Sequence, residues 1–181
     1  MKGNVRIHQR VRYPAAGVKS DIETLLQKFV DTKSVRYEEF VRLWREGNYS
    51  LIHAGRSGLR ENREFVEETF KIALVFALPP YSLQVRVAGV YTLYGLYHSQ
   101  RSKPKQKVRI PLSCWKDLLD LHEEVKKHRH LDADYIIRKM IHDDVFEHVA
   151  YPAPLSVCPL VRRELFSDSS VWPGPNFQTP D

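Results

Sequence analysis

Across most of the chain, apolar residues recur at three- and four-residue intervals, the spacing that gathers them on one face of an α-helix. In "SDIETLLQKFV", Ile22, Leu25, Leu26, Phe29 and Val30 share such a face, and Ser20 with Glu23 has capping-box spacing. A second helix is predicted after Ser34, with Tyr37, Phe40, Val41 and Trp44 in phase and Gly47-Asn48 as its stop. "YSLIHAGRSG" reads as a connector. A third helix runs from about Asn62 to Leu78, acidic early at Glu64, Glu67 and Glu68, which suits the positive end of the helix dipole, and apolar later. Pro79-Pro80 ends it, because the residue before a proline is steered out of the α region. The next helix, Ser82 to Ser99, is apolar nearly all round and reads as centrally buried.

Gly89 and Gly95 inside that helix each cost about 1 kcal/mol of propensity, which is understandable where another backbone packs close. Pro111 and Ser113 open a fifth helix with Trp115, Leu118, Leu119 and Val125 inward. Asp132 is expected to cap a sixth carrying Ile136, Ile137, Met140 and Ile141. The short apolar runs "KVRI" and "VFEHVAY" suit a two-stranded ribbon. The predicted architecture is therefore mainly α: a single helical domain of about six helices around a buried helical hairpin, with one short ribbon. Its expected divisions are a disordered basic arm over 1–18, the helical core over 19–151 and a Pro-rich disordered tail over 152–181, which holds six of the eleven prolines.

Charge changes this picture more than overall composition does. The net charge is +6, yet residues 1–20 and 81–112 together carry eleven basic side chains and no acid. The remainder is therefore net negative, and positive charge gathered into patches points toward an anionic partner. In "QRSKPKQKVRIPL", Arg101, Lys103, Lys105, Lys107 and Arg109 alternate with uncharged residues. In an extended segment, residues two apart share a face, so the five could line one edge and meet phosphates. Five such contacts would give a salt slope of about −4.5. The competing reading is a solvated loop between packed helices. Arg86, a charge inside an apolar helix, requires a carboxylate or carbonyl partner, in this chain or in another subunit. Together with Tyr91, Tyr94 and Tyr97 it marks a candidate subunit interface, although tyrosines at this spacing also suit a core.

Catalytic chemistry finds little support. "HEEVKKHRH" is not a zincin motif, because Lys126 stands four residues after His122 where a second histidine is needed. His130, Asp132 and Asp134 read as helix-end residues better than as cation ligands, and His142 beside two acids does likewise. "GRSG" has the form of a backbone-clamping loop but lacks the strand order that such a loop requires. Glycine-rich phosphate cradles and the GxSxG, HRD and DFG motifs do not occur. No catalytic residue, cofactor or metal is expected. Cys114 and Cys158 form no dense framework, which fits a reducing compartment. Pro79-Pro80, Gln84 and Arg86 interrupt the longest apolar stretch, so it is not a membrane span.

The blocks "SVRYEEFVRLWRE", "LPPYSLQVRVAGVYTLYGLYHSQ", "KPKQKVRIPLSCW" and "HLDADYIIRKM" closely resemble the subunit 1 family of the small nuclear RNA-activating protein complex, roughly from Ser20 to Pro152. The resemblance implies a non-catalytic nuclear subunit. Its implied partners are a Myb-repeat largest subunit, subunit 3, promoter DNA at the proximal sequence element, and the general machinery of RNA polymerases II and III. It brings no active site and no residue-level DNA motif. Residues 1–18 and the stretch after Pro152 depart from the family pattern, so the sequence reads as a shortened form lacking the family's long C-terminal region.

Overall fold

Helix α4 (Leu83–Ser99) lies at the centre, with Val85, Val87, Ala88, Val90, Tyr91, Leu93 and Leu96 each no more than 1% exposed. Around it stand α1 (Val18–Asp31), α2 (Tyr37–Glu46), a 3₁₀ turn (Tyr49–Leu51), α3 (Leu59–Phe76), α5 (Leu112–Lys127) and α6 (Leu131–His142). Strands β1 (Val108–Pro111) and β2 (Phe146–Val149) flank the α5–α6 pair in sequence. The structure is a computed structural model that describes residues 15, 17–56 and 58–150. The expected tail, and nearly all of the expected arm, lie outside the described residues.

The mainly α architecture and the α3–α4 hairpin follow the sequence pattern, and the hairpin explains Gly89. A Cβ built there would lie 2.5 Å from the Ala77 nitrogen and 2.7 Å from the Phe76 carbonyl carbon, so the two backbones touch. Gly95 differs from the expectation, since its close neighbour is the Trp44 ring at 3.0 Å and not a backbone. Gln84, a polar residue in the first turn of α4, bonds across to the end of α1. The Gln84 amide donates to the carbonyls of Phe29, Val30 and Ser34 at 3.2, 3.3 and 2.9 Å, tying α4 to the end of α1 and the turn that follows it.

Local capping is where sequence and structure part. Helix α1 begins at Val18 after Gly17 at φ 93°, so Ser20 and Glu23 lie inside the helix and form no capping box. Asp132 does not cap α6. Its carboxylate reaches across to accept the Tyr37 amide at the start of α2 at 3.0 Å and pairs with Arg36 at 3.3 Å. Asp134 accepts from buried His122 at 2.8 Å and pairs with Arg138, joining α5 to α6. Leu119 and Ile141, expected inward, are 39% and 38% exposed, because each sits at the margin of its helix's buried face.

The ribbon is present and parallel, with Val108, Arg109, Ile110 and Pro111 opposite Phe146, Glu147, His148 and Val149. Val108 and Ile110 are fully buried. No helix among the described residues is long and apolar enough to cross a membrane.

Candidate nucleic-acid and subunit-facing surface

Between the end of α4 and β1 the chain forms a loop whose inward side is held by hydrogen bonds. The Gln100 side chain is 6% exposed and fully engaged. Its Nε2 donates to the carbonyls of Tyr97 at 3.2 Å and Gln106 at 3.0 Å, while its Oε1 accepts the Gln106 amide at 2.7 Å. One primary amide thus matches both backbone groups of Gln106 and ties the loop's ends together. At the middle, Ser102 is 7% exposed, and its hydroxyl accepts from Asn62 Nδ2 of α3 at 3.0 Å. Gln100 and Ser102 point inward, whereas Arg101, Lys103 and Lys105 are exposed. The alternation expected of an extended edge holds at Gln100 to Lys103 but breaks at Pro104, which is exposed like its neighbours in a bend, and regular strand begins only at Val108.

The five cations divide into two groups. Lys107 pairs with Asp144, whose hydrogen bond holds the ammonium pKa above its usual value. Arg109 lies 3.4 Å from Glu147, its partner across the ribbon. Lys105 has its Nζ 4.7 Å from the Tyr97 ring centroid, which leaves its charge uncancelled. Arg101 and Lys103 have no acidic partner among the described residues. The charge open to an outside anion is thus concentrated on Arg101, Lys103 and Lys105.

Arg86 finds its partners within this chain. Its Nη1 donates to Glu124 at 3.2 Å and its Nη2 to the Asp117 carbonyl at 3.0 Å, bonding α4 to α5. Tyr91 is fully buried, and its hydroxyl donates to the Val35 carbonyl at 2.9 Å. Burial raises its pKa well above the ordinary phenol value. Both residues are occupied internally. Tyr94 and Tyr97 are half-buried and continue as an aromatic run: Tyr37 to Tyr94 at 6.1 Å, Tyr94 to His98 at 4.4 Å, His98 to Tyr97 at 5.4 Å. Burial, then the positive charge of Lys105, lowers the His98 pKa. No group of three or more His, Cys, Asp or Glu placed to hold a metal occurs among the described residues.

A family model described as "Small nuclear RNA activating complex (SNAPc), subunit 1" matches residues 18–171. The chain belongs to that family. The match includes every element described above and continues past Pro152, where the motif resemblance stopped. Similar proteins named snRNA-activating protein complex subunit 1 occur in Homo sapiens and Macaca fascicularis, each 41% identical over 140 residues. A third, from Mus musculus, is 36% identical over 140 residues. Each alignment covers 77% of this chain but only 36–38% of the relative, so the chain spans under two-fifths of their length.

Sequence reasoning missed Gln100, Asp144 and Glu147. The two acids lie far along the chain from the basic strip, and only the parallel register brings them to it. Gln100 carried one weak signal, an uncharged polar residue directly between an apolar helix and a run of charge.

Proposed function

We propose that this chain serves as a non-catalytic subunit of a small nuclear RNA activating complex in the nucleus. In that role it helps assemble the complex on the proximal sequence element of small nuclear RNA promoters, for transcription by RNA polymerases II and III. Its partners would be the Myb-repeat subunit, subunit 3 and promoter DNA. The observation that carries this reading is the family match over residues 18–171, which spans the whole helical scaffold. The uncancelled cations Arg101, Lys103 and Lys105 support a finer part of the reading, in which the loop lies against DNA phosphates. Such contacts position a complex without reading sequence. Tyr94 and Tyr97, half-exposed beside the loop, are the better candidates for a subunit contact than Arg86 and Tyr91, which the chain itself occupies.

The test is reconstitution with the partner subunits, followed by promoter-DNA binding across a salt series. Reversing Arg101, Lys103 and Lys105 to Glu should weaken binding and flatten the salt slope by about 2.7, three contacts at 0.9 each. The internal pairing of Lys107 and Arg109 favours a second reading, a scaffold with no direct DNA contact. Under that reading the reversal leaves both affinity and slope unchanged, or disturbs only co-purification with the partners.

A further inference from the structure

The α4–β1 loop combines two features that ordinary solubility does not require together. Its outward side chains Arg101, Lys103 and Lys105 are close in sequence, alike in charge and unopposed by acids among the described residues. Left free, such a loop would spread to separate its charges. Its inward side chains do the opposite. Gln100 and Ser102, both over nine-tenths buried, spend their hydrogen-bonding capacity on the loop's ends and middle. The neighbouring cations Lys107 and Arg109, just outside the span closed by Gln100, are neutralised by Asp144 and Glu147. The fixation supplied by Gln100 and Ser102 therefore coincides with the uncancelled charges, whereas the cancelled cations belong to the segment that the ribbon holds.

From this coincidence, and resting on the phosphate-facing reading above, we propose that Gln100 is a positioning residue. Its amide holds Arg101, Lys103 and Lys105 in the arrangement that meets successive phosphates of a nucleic-acid backbone. Gln100 touches no phosphate itself. It acts by removing the ordering cost that a free loop would meet on binding. Counterion release depends on how many cations reach phosphates, whereas preorganisation changes affinity at a constant number of contacts. Loss of Gln100 should therefore lower affinity while leaving the salt slope in place, an effect separable from loss of a charge.

The experiment titrates the full chain against short double-stranded DNA across a sodium chloride series, well below the melting temperature of each variant. Gln100→Met keeps the side chain's bulk and removes all three hydrogen bonds. Affinity is expected to fall about fivefold with the slope unchanged. Asn62→Ala releases the loop's middle without disturbing the buried amide, and is expected to weaken binding about twofold in the same manner. The variant with Lys103→Glu and Lys105→Glu should lose about 1.8 from the slope. If that charge-reversed variant binds as the parent does, the phosphate-facing reading itself fails. If it weakens as expected while Gln100→Met and Asn62→Ala both keep parental affinity and slope, the positioning role is overturned and the phosphate reading stands.

Discussion

Burial holds His53 neutral: the side chain is 2% exposed and its ring meets Phe65 edge-on at 5.7 Å. Burial pushes its pKa down to about 4, with the nearby Leu96 carbonyl offsetting only part of the effect. In the unfolded chain the imidazole titrates near 6.5. Between those values the unfolded state binds a proton that the folded state does not, so stability rises with pH through this window. The contribution is complete above about pH 6.5 and is lost as pH falls toward 4, amounting to up to about 3 kcal/mol. Urea unfolding at pH 7.5 and pH 5 should show a larger acid loss in the parent than in His53→Leu. Equal losses in the two proteins would remove His53 as the cause. Leu keeps the site apolar, so the variant tests the proton and not the packing.

The helices themselves were legible because three- and four-residue periodicity is a local property. Being apolar all round marks α4 as buried, and the cost of Gly89 in such a helix marks a close approach to another backbone. What escaped was the direction of polar side chains at helix ends. Asp132 stands in the first turn of α6, where a carboxylate ordinarily serves its own helix, and nothing in nearby sequence shows that α2 starts beside it. Asp132→Ala should therefore destabilise the fold by about 1 kcal/mol, the usual worth of a lost cap. Asp132→Asn, which can still accept the Tyr37 amide, should recover most of that loss in urea unfolding. If the two variants are equally destabilised, the Arg36 ion pair and not the cap is what matters. Ser20 shows the converse error. It has capping spacing with Glu23, but the chain had already turned helical at Val18.

Across the whole molecule, the basic strip was legible as a pattern but not as a charge. Its outward alternation follows from the sequence, and burial reproduces it on either side of Pro104, which is itself exposed. Its effective charge could not be read, because Asp144 and Glu147 reach it only through the parallel register of β1 and β2. That division is itself testable. Replacing Asp144 with Asn and Glu147 with Gln would uncover Lys107 and Arg109 without adding any cation. The double variant should bind DNA more tightly and steepen the salt slope by up to about 1.8, two contacts at 0.9 each. An unchanged slope would mean that these two cations face away from the DNA even when unopposed.

The parallel ribbon also fixes an order of events during synthesis. Two strands joined by a tight turn can pair as soon as both have left the ribosome, but α5 and α6 separate β1 from its partner. Its partner β2 emerges only after α5 and α6 have been made, and the two strands cannot align in parallel until that helical pair has folded back. Until then the amide of Val108 waits for the Val145 carbonyl that it finally meets at 2.8 Å. Closing this small sheet therefore follows the synthesis of α5 and α6, and the pairing of Lys107 and Arg109 with Asp144 and Glu147 comes with it. A nascent chain stalled before Asp144 would lack both acids that pair with Lys107 and Arg109, so the division of charge depends on residues that follow α6.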